Sequence, residues 1–189
     1  PGDLIDAPLL SLRPLIHVGT AKQSELIDEL IEEGADGTQP TEEISVQEAS
    51  ELFPALNTSQ LERAIVETGT ADIDVAALHQ AFVRGFRQHG GEITTSARVD
   101  SAIRENNKWK IETTTGELEA DVVINAAGAW GDHVAKRAGI EPIGLQPKRR
   151  TAFMVNAPVS DTSQWAMLDD AAHSWYIKPD GPQLLCSPA

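Results

Sequence analysis

The sequence predicts an α+β fold. Three features carry that prediction: helical stripes that open on capping motifs, alternating strands joined by tight turns, and one continuous apolar run that ends in small residues. With 41% hydrophobic residues in 189 positions the chain can bury a core, and its length allows one domain or two small ones.

Taken in order, Leu15-Ile16-His17-Val18 before Gly19 reads as a short strand. Thr20 with Gln23 forms a capping box, so a helix follows, with Leu26, Ile27, Leu30 and Ile31 as its apolar stripe and Gly34 placed to end it. A second capping box, Ser45 with Glu48, opens a short helix carrying Val46, Ala49, Leu52 and Phe53, and Pro54 stops it. The clearest helix runs from the N-cap Asp74 to Gly90-Gly91, with Val75, Leu78, Phe82 and Phe86 along one face. A strand is expected from Ile93. Val99 to Ile103 alternates, Asn106-Asn107 makes a tight turn, and Trp109 and Ile111 alternate back, which is a β-meander. After the turn at Thr115-Gly116, Val122-Val123-Ile124 has the continuous apolar character of a strand covered on both faces. Trp130 to Ala138 reads as a helix closed by Gly139. Strands are expected at Arg149 to Val155 and His173 to Lys178, with Pro179-Asp180-Gly181 turning into Leu184-Leu185-Cys186.

Charge and motif content exclude several functions. Twenty-nine acidic against 15 basic side chains give a formal charge of -14, which disfavours nucleic acid and anionic membrane surfaces as partners. Cys186 is alone and reads as a small hydrophobe in a strand, and no apolar stretch approaches membrane-spanning length. No signal-peptide pattern opens the chain, so a cytoplasmic location is expected, while the missing initiator Met marks Pro1 as a processed, trimmed or engineered start. The five histidines are scattered without metal-site spacing, so no metal is expected. No Gly-x-Ser-x-Gly elbow occurs, and Glu32-Glu33, Glu42-Glu43 and Asp169-Asp170 read as solvated pairs.

Chemistry concentrates where the apolar run meets Ala126, Ala127 and Gly128. Small residues there let a ring system or ribose approach backbone closely, or simply permit a tight strand-to-helix turn; pattern alone leaves both readings open.

The stretch Asp121-Val122-Val123-Ile124-Asn125-Ala126-Ala127-Gly128-Ala129-Trp130 resembles a dinucleotide-contacting segment of the FAD-dependent D-amino-acid oxidase and dehydrogenase family. Gly69-Thr70-Ala71-Asp72-Ile73-Asp74, the helix with Leu78, Gly90-Gly91 and Ala97-Arg98-Val99 occur in that family's order, and Gln146 to Arg150 and Trp175 to Gly181 resemble its D-arginine-like dehydrogenase branch. The likeness spans essentially the whole chain and is sharpest from Gly69 to Thr151. No Gly-x-Gly-x-x-Gly turn is present, so the pyrophosphate-binding element is missing, as is the later flavin segment.

The resemblance implies an α+β substrate-binding domain with a mixed or antiparallel sheet, formed by residues 1–68 and 141–189. It further implies part of a Rossmann-like FAD-binding domain, the meander and one parallel strand, over residues 69–140. It assigns Val99, Ala126, Ala127 and Gly128 to the cofactor and Arg150, Met167 and Tyr176 to an amino-acid substrate, with no general base identified. Each has a plainer reading: Val99 as a meander core residue, Tyr176 as an interior strand tyrosine, Arg150 as a surface ion-pair partner, Met167 as core filling. The implied reaction is hydride transfer from the α-carbon of an amino acid, expected to be a D-amino acid, to FAD; the imino acid then hydrolyses to a 2-oxo acid and ammonia. The chain alone is expected not to retain FAD and to self-associate through exposed surface. A truncated, non-catalytic relative serving as an interaction or structural module is the alternative reading.

Overall fold

Antiparallel pairing dominates the computed structural model, which describes residues 4–5, 8–35 and 41–188. The strands and helices group into two units, one within Pro1–Arg84 and Arg150–Ala189, the other within Gly85–Arg149. The sequence reading places its changes of domain at residues 69 and 141.

The first unit is built on a seven-stranded sheet in the order β3-β4-β2-β10-β11-β12-β9. These strands are Thr41–Ile44 (β3), Arg63–Glu67 (β4), Leu15–Gly19 (β2), Met167–Asp170 (β10), Trp175–Asp180 (β11), Gln183–Pro188 (β12) and Phe153–Asn156 (β9). All neighbours run antiparallel except β2 and β10, so the sheet is mixed. That single parallel pair joins the two ends of the chain, setting Leu168 beside Ile16 and Asp169 beside His17. Because side chains alternate across a strand, Ile16, Val18, Ala64, Val66, Leu168 and Leu184 all point to one face. There they form the main core with Trp165 and with Ala49 and Phe53 of the helical segment at α2 (Val46–Leu52). Phe53 meets Trp165 edge to face at 5.1 Å.

On the opposite face, α1 (Ser24–Ala35) covers only one end of the sheet, where Ile27 packs on Ile65 and Ala171. Both predicted capping boxes are present: Gln23 Oε1 accepts from the Thr20 N–H at 3.0 Å, and Glu48 Oε2 accepts from the Ser45 N–H at 2.8 Å. Gly34 lies inside the last turn of α1 rather than after it. A two-stranded ribbon, β1 (Leu10–Leu12) with β5 (Ala71–Ile73), precedes α3 (Val75–Gln88), whose N-cap Asp74 accepts from the Ala77 N–H at 2.8 Å.

The second unit holds a three-stranded meander, β6 (Val99–Glu105), β7 (Lys108–Thr113) and β8 (Gly116–Ala120), followed by α4 (Gly131–Arg137). Asn106 and Asn107 both take positive φ (51° and 65°), as a two-residue hairpin turn of this hand requires. At the end of α3, Gly91 N–H donates to Phe86 and Gly90 N–H to Arg87. At the end of α4, Ile140 N–H donates to Ala135 and Gly139 N–H to Lys136, so glycine closes both helices as expected.

Three predicted strands differ. Ile93 begins none, and the stretch before β6 is turn and coil. Val122 to Asn125 runs without a ladder, and Val122 and Ile124 are 74% and 85% exposed. A strand buried on both faces exists only when neighbours supply its hydrogen bonds, and among the described residues none pairs with this segment. The strand expected from Arg149 starts instead at Phe153. The ladder to β12 ends at Cys186 opposite Phe153, and the Ser187 hydroxyl, not a ladder N–H, donates to the Thr151 carbonyl at 3.0 Å.

Candidate functional site

In the second unit the segment between β8 and α4 forms one wall of an apolar pocket of about 310 Å³. Val99, Trp109 and Ile111 of the meander line it together with Ile124, Ala126 and Ala127. Three of the four predicted cofactor residues, Val99, Ala126 and Ala127, therefore share one pocket. Gly128 follows at the mouth of a 3-10 turn with φ 53°, and nothing lies within 4 Å of where its Cβ would stand. Its backbone conformation favours glycine, and crowding does not demand it. The segment is positioned by side-chain bonds to backbone. Asn125 donates to the Gly131 carbonyl at 2.9 Å, and the Asp132 carboxylate accepts from the N–H groups of Gly144 and Leu145 at 3.0 and 2.8 Å. A flat, largely apolar ring fits the chemistry of this wall, where only Asn125 is polar.

In the first unit Tyr176 lies in β11 between Trp175 and Ile177, both of which pack on the main core. Tyr176 therefore turns to the other face of the sheet, as its parity predicts, directly across from Asp169. Among the described residues no hydrogen bond engages its hydroxyl. Met167, two residues from Asp169, shares that face and is half-buried. Arg150 does not stand on a strand: it is exposed in the irregular stretch before β9.

Polar groups crowd this same face. His17, 3% exposed, has its Nε2 3.1 Å from Glu67 Oε1 and its Nδ1 3.4 Å from Asp169 Oδ2. Asp169 Oδ2 also lies 2.6 Å from Nδ1 of His173, whose backbone takes φ 53° in the turn after β10. Burial alone would push the His17 imidazole down, but Asp169 and Glu67 outweigh it and hold its pKa above the ordinary value. For Asp169, burial would raise the carboxyl, yet His17 and His173 bring it below the usual carboxylate range. Beside them Asp72 bridges Arg13 at 2.6 Å and Lys178 at 2.8 Å. Burial opposes the ionised form of Asp72, and the two cations lower its pKa nonetheless.

Asp169-Asp170 is thus no solvated pair. Asp170 is buried, accepting from Gln23 Nε2 at 2.7 Å and from the Ser174 hydroxyl at 2.6 Å. The sequence carried only half of the His17 constellation: Asp169 and His173 are four apart, but His17 joins them through the parallel pairing of β2 with β10. Cys186 is partly buried against the main core, and burial pushes its thiol pKa up, as for a small hydrophobe.

A family profile described as FAD dependent oxidoreductase matches residues 4–188. The chain belongs to this family. Human mitochondrial dimethylglycine dehydrogenase is 28% identical over 150 residues, covering 77% of this chain and 17% of the relative. Iminodiacetate oxidase from Chelativorans sp. BNC1 superposes with a TM-score of 0.77 at 20% identity over 100% of this chain and 53% of its own. Glycine oxidase from Geobacillus kaustophilus does so with a TM-score of 0.76 at 22% identity, over 100% and 51%. The chain therefore spans about half the length of these two solved structures and 17% of the human relative. None of these three is a D-arginine dehydrogenase, so the FAD dependent oxidoreductase family is the level at which the assignment stands. No helix among the described residues is long and apolar enough to cross a membrane.

Proposed function

We propose that this chain is part of a FAD-dependent oxidoreductase that oxidises an amino acid at the carbon bearing nitrogen. The observation that carries this reading is Tyr176, set by strand parity on the polar face of the seven-stranded sheet with no hydrogen bond on its hydroxyl among the described residues. A phenol there donates a hydrogen bond to a substrate carboxylate. Met167 on the same face contributes apolar contact, and a substrate role for Arg150, exposed before β9, rests on the family resemblance alone. Val99, Ala126, Ala127 and Gly128 are the residues of this chain that would hold FAD. FAD, when bound, supplies the two-electron oxidant. The protein's part is to fix the carboxylate, and with it the carbon that loses the hydride.

The family members matched above are named for glycine, dimethylglycine and iminodiacetate, which share a carboxylate one carbon from nitrogen. That shared group supports an amino-acid substrate; preference for a D-amino acid is the finer form of the proposal. The test is bleaching of the visible flavin absorbance in anaerobic protein made from the whole gene. D- and L-amino acids, glycine and N-methylated glycines are offered in parallel with glycerol 3-phosphate. Bleaching by an amino acid is expected, fastest with a D-enantiomer. Bleaching by glycerol 3-phosphate alone would overturn the substrate class, and faster bleaching by the L-enantiomer would overturn the stereochemistry.

A further inference from the structure

The geometry points to a divalent transition-metal site on the first unit, formed by His17 Nδ1, Asp169 Oδ2 and His173 Nδ1. Each of the three residues offers one ligand atom, and these atoms lie within 4.8 Å of one another. The inference does not depend on the flavin reading, and nothing in that reading uses His17 or His173.

The argument begins with His17. Its ring is almost wholly buried, its Nε2 faces Glu67 at 3.1 Å, and its Nδ1 is buried with no hydrogen-bond partner. A carboxylate accepts only, so Nε2 carries its proton toward Glu67, and Nδ1 is the nitrogen left to turn to whatever lies on its other side. That arrangement, one imidazole nitrogen bonded to a carboxylate and the other free, is how a metal-ligating histidine is ordinarily held. What Nδ1 faces is a second carboxylate, Asp169 Oδ2 at 3.4 Å, a separation at which a cation can be shared between the two atoms. Asp169 Oδ2 and His173 Nδ1 lie 2.6 Å apart beside it, so a third ligand atom is already at hand.

The dimensions agree. Four ligands at about 2.0–2.1 Å around zinc stand roughly 3.3 Å from each other. The His17–Asp169 separation of 3.4 Å is already that edge. The Asp169–His173 separation of 2.6 Å must open, and His173 can swing because its side chain is 59% exposed. The two imidazoles stand edge to face, 82° apart with centroids at 5.6 Å. Two imidazoles and one carboxylate suit zinc, cobalt, nickel or iron over calcium or magnesium, and the exposed side of His173 leaves a position open to water. The overall charge of -14 favours cation capture.

The test is equilibrium dialysis of the tag-free chain against zinc at neutral pH, with metal content measured per chain, and against cobalt with visible absorption as a coordination signature. One zinc per chain and a low-coordinate cobalt spectrum are expected, together with a zinc-dependent rise in Tm. His17→Ala opens the core and is a poor probe. His173→Ala and Asp169→Asn should each weaken zinc binding at least tenfold and abolish the cobalt spectrum, whereas His133→Ala in the second unit should change neither. Substoichiometric zinc, or equal affinity in wild type and His173→Ala, would overturn the site and assign the binding to exposed carboxylates.

Discussion

The two units solve the same problem to different degrees. In the first, a seven-stranded sheet with a helix on each face closes an apolar cluster on either side, Ile16 and Leu168 on one and Ile27 and Ile65 on the other, all at most 2% exposed. In the second, only Ala102 and Ile111 reach burial, while Val122, Ile124, Trp130 and Ile143 stand open. The meander has its hairpin turn and the helix its glycine cap, so the second unit is locally complete. What it lacks is a second layer to cover its apolar faces. Exposed apolar surface of this extent marks a face made to be covered, by further sequence or by another molecule.

The largest effect expected from this difference concerns the cofactor. The second unit offers an apolar wall but no glycine turn to hold a pyrophosphate, so the chain alone should bind FAD orders of magnitude more weakly than a complete flavoprotein, and show no turnover. Stoichiometric, tight binding in a fluorescence titration would show that the second unit is self-sufficient and erase the distinction.

Stability should divide the same way. Ile16→Ala removes a fully buried side chain from the first core and should cost about 2–5 kcal/mol in urea denaturation. Ile124→Ala removes an equal volume from an exposed segment and should change stability by under about 0.5 kcal/mol. Comparable losses would mean that the second unit has a core the exposures do not reveal.

A smaller effect lies in the Arg13–Asp72–Lys178 cluster. The folded-state pKa of Asp72 is lowered, so its contribution is fully present above the unfolded carboxylate value of about 3.9 and is lost as pH falls through the folded value beneath it. Because Asp72 is partly exposed, Asp72→Asn should cost only on the order of 1 kcal/mol at neutral pH. The difference from wild type should shrink as the solution is acidified. A constant difference down to strongly acidic pH would show that the ion pairs contribute nothing.

Local chemistry was legible in the sequence wherever it is self-contained. Both capping boxes, the Asp74 cap, the Asn106-Asn107 turn and the glycine ends of α3 and α4 need only neighbouring residues. So did the parity of Tyr176, since Trp175 and Ile177 flank it as a core pair. Strands whose identity rests on distant partners were not legible. Thr41-Glu42-Glu43-Ile44 has little apolar content, and only β4 beside it makes it β3. Val122 to Asn125 shows the converse, a strand-like sequence with no ladder to join. His17 belongs to both cases: its strand was readable, but Asp169 and His173 reach it through a parallel pairing between the ends of the chain.

The central claim is that the polar face of the seven-stranded sheet carries the substrate group, with Tyr176 donating to a carboxylate. The most direct test is Tyr176→Phe in protein made from the whole gene, with kcat/KM for an amino acid and flavin content measured on the same preparation. The account predicts a loss of roughly tenfold or more in kcat/KM, from a hydrogen bond to a charged group worth about 1.5–3 kcal/mol, with flavin content unchanged. Unchanged kinetics would return Tyr176 to an ordinary strand residue, and lost flavin would make it a support of the fold; either result contradicts the claim.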